Sequence, residues 1–280
     1  MTNYYSGKSV AFLTQHGKES LICPMLQDAL GCNILHTTAY DTDLLGTFSG
    51  EIKRQDAQIQ TARIKARKGM DLTGASIGIA SEGAFIPDPF SGLIPWNVEI
   101  LIWIDDLNGI EVIGTAQGPA HSLHRSLTSV LELEQFAQDS RFPEHHLMVR
   151  PQNQDDVRVR KGLSNWTELV QAFEECKQES NNQIVCVEND LRAFCNPTRQ
   201  VMIRSAANNL LEKLLSYCPA CSLPGFSVTR HCSGLPCRLC GNPTKFAQSY
   251  TWRCTACAYE LIKPNSSLLA EPSGCDVCNP

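Results

Sequence analysis

The stretch Ser9-Val10-Ala11-Phe12-Leu13-Thr14 and the turn Gln15-His16-Gly17-Lys18-Glu19 that follows it decide the fold class of this chain. The first stretch is rich in apolar, β-branched and aromatic residues, which favours a buried strand. The polar turn opens a segment of helical character that ends near Gly31. Because a strand followed directly by a helix is the repeating unit of α/β proteins, we expect a βα unit here.

The same alternation continues along the chain. We predict a second strand over 33–38, a basic helix over 52–68 that stops at Gly69, and a third strand over 75–80. Apolar and amphipathic segments further on predict strands over 98–104, 110–115, 147–149 and 184–187, and helices over 127–137 and 164–176. The turn at 105–109 makes the first two of these strands a hairpin. This order favours an α/β fold with a mixed sheet flanked by helices.

Length and composition limit the possible functions. The 280 residues suffice for one large domain or a domain with a smaller module, and the hydrophobic content of 42% is typical of globular proteins. A net charge of -5 gives no global attraction to nucleic acid or anionic lipid. Residues 1–6 lack the charged start of a signal peptide, and no window approaches the ~18 apolar residues of a membrane span. We expect a soluble cytoplasmic protein whose partner is a small molecule or a protein, with no membrane contact.

The cysteines give the strongest local signal. Nine of the fourteen fall between Cys218 and Cys278, and eight of these form four Cys-x-x-Cys pairs. The pairs are Cys218 and Cys221, Cys237 and Cys240, Cys254 and Cys257, and Cys275 and Cys278. Repeated pairs of this spacing are typical of zinc bound by thiolates in a reducing compartment, so we predict two four-cysteine zinc sites and no disulfides.

The four pairs can combine in three ways. We favour a nested arrangement, in which 237/240 and 254/257 form a ribbon and 218/221 closes the second site with 275/278; sequential and interleaved arrangements stay open. Because all eight ligands are thiolates, neither site has an open position for water activation, and both are expected to be structural. Residues 218–280 carry five basic and three acidic side chains, which favours a structural tail or a protein-contact module over a nucleic-acid surface.

The segment before the cysteines predicts the domain organisation. Asn196 is a good N-cap and Pro197 a good first helical residue, so a helix is expected over 197–217. We therefore divide the chain into an α/β domain (1–195), a connecting helix (196–217) and a zinc-binding module (218–280).

Carboxylates after the second and third predicted strands suggest a catalytic site. Asp41, Asp43, Glu51 and Glu82 are candidates to hold magnesium, which prefers oxygen ligands. Phosphate contacts would come from Lys18 in the first turn and from the basic helix, through Arg63, Lys65 and Arg67. In the alternative interpretation, Asp41 and Asp43 form an Asx turn, Glu51 caps the next helix, and the basic residues are solvated.

Arg192 and Arg199 form a second candidate anion site. They flank Asn196, where the free amides of a helix start could hold phosphate or carboxylate together with Thr198. The alternative is an ordinary capped helix whose arginines pair with Glu188 or Asp190.

Four groups of residues carry a family resemblance: 41–43 with 46–51, 80–83, 196–199, and Leu235-Pro236-Cys237. Together they resemble an uncharacterised bacterial domain-of-unknown-function family that ends in a zinc-ribbon-like module. The resemblance spans nearly the whole chain. It implies the same two-part organisation and carries no established activity.

A second resemblance concerns residues 9–105. The turn 14–18, the helix with Ala62-Arg63-Ile64-Lys65-Ala66-Arg67, and Gly78-Ile79-Ala80-Ser81-Glu82-Gly83 are similar in order to the inosine/xanthosine triphosphate pyrophosphatase superfamily. This resemblance implies that Lys18 binds phosphate and that Glu51 and Glu82 are metal ligands or bases.

These observations lead to two hypotheses about function. In the first, the chain is a magnesium-dependent phosphohydrolase or a nucleotide-binding enzyme that acts on a small phosphorylated ligand. In the second, it is a non-enzymatic adaptor whose zinc module contacts a protein or nucleic acid.

Overall fold

The computed structural model describes residues 3–47, 51–52 and 55–279. In these ranges the α-helices are α1 (Lys18–Leu30), α2 (Gln58–Thr73), α3 (Val130–Asp139), α4 (Trp166–Glu179) and α5 (Pro197–Leu214). The strands are β1 (Ser9–Leu13), β2 (Asn33–Thr37), β3 (Ile77–Pro87), β4 (Pro95–Asp105), β5 (Ile110–Pro119), β6 (His124–Leu127), β7 (Leu147–Pro151), β8 (Arg160–Leu163), β9 (Val185–Asn189), β10 (Ser227–Ser233), β11 (Ala247–Arg253) and β12 (Glu260–Pro264). None of the helices in these ranges combines the length and apolar character that crossing a membrane requires.

The first sheet has the strand order β2-β1-β3-β4-β5. β1 is parallel to both of its neighbours, while β3, β4 and β5 are successive antiparallel strands. The chain leaves β1 towards β2 and leaves β3 towards β4, so the connections diverge between β1 and β3. Ligands of open α/β sheets usually bind at such a switch point, outside the carboxyl ends of the strands.

Alternate residues of this sheet face two separate cores. Phe12 and Trp103 pack with α1 and α5 on one face, whereas Ala11 and Ile102 pack with α2 on the other. The alternation follows from the two-residue period of a strand. The predicted α/β class, with a mixed sheet flanked by helices, is confirmed.

The second sheet has the order β6-β9-β7-β8, and its pairings are antiparallel. α3 and α4 pack on this second sheet, and together they form a hydrophobic core separate from the two cores of the first sheet. β6 and β8 have four residues each, with the sequences HRSL and RKGL. Such short polar strands give no period-2 pattern, so neither was predicted.

The predicted bounds of the basic helix were wrong. Residues 53–54 of that prediction lie outside the described residues, and α2 begins at Gln58 and continues through Gly69 to Thr73. It ends where Gly74 takes a left-handed conformation and donates to the Met70 carbonyl oxygen at 2.8 Å. A Cβ at Gly69 would lie 3.2 Å from Leu13, so this glycine lets the helix approach β1 and does not end it.

The sequence suggested that the third strand ends at Ala80, but β3 continues to Pro87. Glu82 lies inside β3 and pairs with Ile100 of β4. A Cβ on the next residue, Gly83, would collide with the buried side chains of Glu99 and Arg199. The glycine therefore marks a close approach within the strand and not its end.

α5 packs on β4 and β5, and Ile203, Ala206, Leu210 and Leu214 belong to the core that it shares with α1. The helix predicted over 197–217 ends at Leu214. It thus contributes to the core of the first sheet, in addition to leading to the cysteines. The division into three domain segments stays a prediction.

Two glycines of β5 test the packing of this helix. At Gly114 a Cβ would meet α5 backbone atoms of Ala206 and Leu210, whereas at Gly118 it would meet the flexible Met202 Cε at 3.0 Å. We predict that Gly114→Ala lowers the free energy of unfolding by about 1–3 kcal/mol, because backbone cannot yield, and that Gly118→Ala costs below about 1 kcal/mol. Urea denaturation of both variants measures this, and equal costs would contradict the described packing.

Candidate functional site

A cleft lies at the switch point, beside the end of β1. Its walls come from the turn 14–18, the segment 42–47, α2, β3, β8 and the segment 192–199. The described basic side chains that line it are Lys18, Lys65, Lys161, Arg192 and Arg199, and we call it the cationic cleft. The cavity volume, counted as the space open to the centres of water molecules, is about 40 Å³, which is room for about three waters. The cleft can enclose a phosphate or carboxylate group, and a larger ligand would extend outside.

Four of these five described cations have carboxylate partners. Lys65 Nζ lies 2.6 Å from Glu82 Oε2, Arg199 Nε 2.7 Å from Glu99 Oε1, and Arg192 Nη2 2.5 Å from Asp190 Oδ2, while Lys161 pairs with Glu51. The first three pairs are largely buried, and burial of a charge is costly unless a partner compensates it. Ion pairing therefore fixes the walls of the cleft.

Lys18 is the exception. Its side chain is 7% exposed, and its Nζ donates to the Ser81 carbonyl oxygen at 3.1 Å. Within the described ranges no carboxylate forms an ion pair with it. Burial, and then the positive charge of Arg199, lowers the pKa of Lys18 to about 7, although Glu99 and Glu82 oppose the shift. Burial and the neighbouring cation thus favour the uncharged form of this amine.

His16 and Asp43 form a pair at the cleft. His16 and Gly17 have φ angles of 65° and 77°, a left-handed turn that carries the chain from β1 into α1. Such conformations are uncommon for residues other than glycine and cluster at functional sites. His16 Nε2 lies 3.1 Å from Asp43 Oδ1, and this hydrogen bond lowers the pKa of Asp43. The His16 ring also stacks on Phe194.

The carboxylates predicted to bind magnesium do not form a cluster. In the described part of the chain, groups of three or more potential metal ligands are formed by cysteines. Asp41 accepts from the Asp43 amide at 3.0 Å, which is the Asx turn of the alternative interpretation, and Glu51 and Glu82 pair with lysines of the cleft. Residues 48–50 of the predicted acidic loop lie outside the described ranges. Magnesium binding has no geometric support here.

The predicted phosphate-binding residues separate into two sets. Lys18, Arg192 and Arg199 line the cleft. Arg63 and Arg67 do not: they pair with Glu111 at 2.6 Å and Asp106 at 2.7 Å. Residues 63 and 67 share one face of α2, because they are four positions apart, whereas Lys65 lies on another face.

The two arginines of the second candidate anion site, Arg192 and Arg199, line the same cleft, whereas Thr198 does not and hydrogen-bonds His145. Asn196 caps α5 by accepting from the Arg199 amide at 3.0 Å, as the sequence predicted, and Arg192 pairs with Asp190. Arg199 instead reaches Glu99 on β4. Sequence reasoning missed Glu99 and Lys161: Lys161 belongs to the unpredicted strand β8, and Glu99 is a lone carboxylate inside the apolar strand predicted over 98–104.

The eight paired cysteines form two groups of four in the described residues. One holds Cys218, Cys221, Cys254 and Cys257, and the other Cys237, Cys240, Cys275 and Cys278. Sulfur atoms of the first group lie 3.6 and 3.7 Å apart and those of the second 3.5 and 4.0 Å apart. Four thiolates around a metal at about 2.3 Å would be separated by about 3.8 Å. Each group can therefore hold a metal ion.

The observed pairing is interleaved, so the nested pairing was wrong. The backbone explains the difference: Arg238 and Pro236 exchange hydrogen bonds with Ala270, at 3.0 and 2.8 Å, and bring the C-terminal pair beside 237/240. Phe226 packs with Cys218 and Cys254 in one buried cluster, and so joins the first and third Cys-x-x-Cys pairs. These long-range contacts cannot be read from the cysteine spacing.

Most basic side chains of residues 218–280 are neutralised by neighbours. Arg230 and Arg253 pair with Glu260, Arg238 with Glu271, and Lys245 with Asp276. Lys263 lies over the Trp252 ring at 4.5 Å. Paired charges give a weak positive potential, which does not favour phosphate binding by this surface.

Comparison with known proteins identifies a family. A model described as a domain of unknown function (DUF6671) matches residues 65–280, a range that includes both cysteine groups and four of the five described basic side chains of the cationic cleft. A search of the curated proteins finds no match. The resemblance to a family of unknown function with a cysteine module is thereby confirmed, whereas the resemblance of residues 9–105 to the pyrophosphatase superfamily has no support from these comparisons.

Paired substitutions test the interleaved metal sites. Cys221 and Cys257 belong to one group, so we predict that Cys221→Ala with Cys257→Ala removes one of two bound zinc ions. Cys221→Ala with Cys278→Ala affects both groups and should remove two. Zinc per chain, measured by mass spectrometry of the metal, checks this. Nested sites would give the reverse result, and Cys232→Ala, outside both groups, is the control.

The pKa of Lys18 predicts an unusual pH dependence of stability. The pKa is about 7 in the folded chain and about 10.4 when unfolded, so the unfolded state binds more protons between these values. Stability contributed by this group should therefore rise with pH. We predict that the unfolding free energy of the wild type, relative to Lys18→Met, rises by about 2 kcal/mol from pH 7 to pH 9.

Urea denaturation at several pH values measures this difference. Lys245→Met is the control, because Lys245 is exposed and its partner Asp276 raises its pKa. A constant difference between wild type and Lys18→Met would show that Lys18 stays protonated throughout.

Proposed function

The chain belongs to the DUF6671 family, whose function is unknown, and we propose that it binds a small phosphorylated ligand in the cationic cleft and holds two structural zinc ions. The observation that carries the proposal is the convergence of Lys18, Lys65, Lys161, Arg192 and Arg199, among the described residues, on one small cleft at the switch point. These side chains come from separate elements, so sequence proximity does not explain their meeting.

The position of the cleft favours a ligand-binding role. It lies where the carboxyl ends of the parallel strands meet the first turn of α1, the usual place for ligands in this class of sheet. Amides at the start of a helix lack partners within the helix and attract anions. α1 begins at Lys18 with no side-chain cap.

The charges of the cleft favour an anion. Lys161 and Arg192 keep 24% and 21% of their side chains exposed, although each has a carboxylate partner. A phosphate group could accept from both while their existing pairs hold them in place. The enclosed volume suits that group and leaves a nucleoside or sugar outside.

Hydrolysis of the ligand is the enzymatic form of this proposal. A histidine held by a carboxylate is a common arrangement for a general base, and His16 and Asp43 provide one at the cleft. In this form the chain is a phosphohydrolase or nucleotide-binding enzyme. Because the carboxylates already have partners, any magnesium would have to arrive with the phosphate.

A second candidate function is that of a non-enzymatic adaptor. Leu239, Ile262, Leu268 and Val277 of the cysteine module are all more than half exposed, and exposed apolar side chains favour contact with a protein. The cysteines in the described residues form no disulfide bonds. Zinc bound by thiolates is typical of a reducing compartment such as the cytoplasm, which is the location that we propose.

Binding measurements separate these candidates. We predict that phosphate, pyrophosphate or a nucleoside triphosphate binds the wild type and that Lys161→Ala weakens binding at least about tenfold, since it removes one charge-assisted contact. Lys245→Ala is the matched control: it also removes an ion-paired lysine, but outside the cleft. Titration calorimetry with and without magnesium gives the affinities.

The same samples test the enzymatic form. Release of phosphate or pyrophosphate by the wild type, and its loss in His16→Gln, would support hydrolysis. If none of these anions binds, or if both lysine variants lose affinity equally, the cleft is not the binding site. Binding without turnover would leave a binding protein.

A further inference from the structure

We propose that Lys18 is a nucleophilic amine that forms an imine with a small carbonyl compound carrying a carboxylate or phosphate group. This inference rests on the proposed function, because the other cations of the cleft would hold the anionic group. It adds a substrate class, an aldehyde or ketone, and a covalent step.

The surroundings of Lys18 suit an uncharged amine. Its side chain is almost fully buried, and its Nζ has one described hydrogen bond, to the carbonyl oxygen of Ser81 at 3.1 Å. A neutral amine can donate one N–H to that oxygen and keep its lone pair for attack. An ammonium ion in the same place would carry a buried charge with no ion-paired carboxylate in the described ranges.

Neighbouring charges differ between Lys18 and the other lysine of the inner cleft. Lys65 is also largely buried, but Glu82 pairs with it at 2.6 Å. Glu99, the other nearby carboxylate, pairs with Arg199. Both nearby carboxylates thus form ion pairs with other residues, and the cations next to Lys18 favour its neutral form. Desolvation and adjacent cations are the usual means of activating a lysine.

The chemical step balances without any other reactant. The lone pair of Nζ attacks the carbonyl carbon, and an N–C bond forms as the carbonyl π electrons move to oxygen. Both N–H hydrogens then leave with that oxygen as water, and the product is an imine. Anion binding by Lys161 and Arg192 would hold the carbonyl carbon near Lys18.

Reductive trapping with glyoxylate tests the proposal on the wild-type chain. Glyoxylate carries an aldehyde and a carboxylate in a small molecule, and cyanoborohydride converts its imine with lysine into a stable carboxymethyl group. Peptide mapping by mass spectrometry gives the rate at each lysine. Lys65 and the exposed Lys245 are internal controls, so no variant has to fold.

We expect Lys18 to be labelled at pH 7 at least about tenfold faster than Lys65 or Lys245. Burial and a neighbouring cation lower the pKa of Lys18 to about 7, which makes its amine a better nucleophile at this pH than a charged lysine, and limited access to Lys18 reduces that advantage. The advantage should shrink by pH 10. Glycolaldehyde, which has a hydroxymethyl group in place of the carboxylate, should show a smaller preference for Lys18 over Lys245. Phosphate should slow glyoxylate labelling at Lys18 alone.

Labelling of Lys18 no faster than Lys245 at pH 7 would overturn the proposal. If phosphate nevertheless binds in the cleft, the proposed anion site stands and the imine does not. An equal preference for Lys18 with glyoxylate and glycolaldehyde would overturn the anionic substrate class.

Discussion

The buried ion pair between Glu99 and Arg199 holds the candidate site together. It joins the middle of the first sheet to the first turn of α5, and Arg199 also donates to the Leu191 carbonyl oxygen. Removing two charges from water costs several kcal/mol per ion, so the pair is not primarily a source of stability. Its effect is positional: it fixes the segment before α5, with Arg192, against the end of β1. Gly83 leaves the space that the pair occupies.

This constraint links the electrostatics of the cleft to the chemistry we propose. Glu99 forms an ion pair with Arg199, and Glu82 forms one with Lys65. Lys18 therefore has no ion-paired carboxylate in the described residues. One cation of the cleft is thereby turned into an amine that can lose its proton near neutral pH. The cysteine module contributes differently: its two groups of four cysteines can each hold a metal ion, which would stabilise a small β-structure that lacks a large core of its own.

Local patterns predicted the features that depend on local sequence. The βα alternation, the hairpin of β4 and β5, the Asn196 cap and the cysteine ligands all follow from spacing or from neighbouring residues. Contacts between distant residues were not accessible in this way. How sheets and turns pack decides three features of the structure. These are the proximity of Lys161 to Lys18, the ion pair of Arg199 with Glu99, and the combination of the Cys-x-x-Cys pairs into two groups. Gly69 misled because sequence alone does not distinguish a glycine that ends a helix from one that allows a close approach of two elements.

A crystal structure with tungstate, an anomalously scattering phosphate analogue, tests anion binding in the cationic cleft. We expect an anomalous peak in the cleft, within hydrogen-bonding distance of Lys161 and Arg192 and next to Lys18. A peak elsewhere on the chain with none in the cleft, at a tungstate concentration that saturates binding in solution, would contradict it.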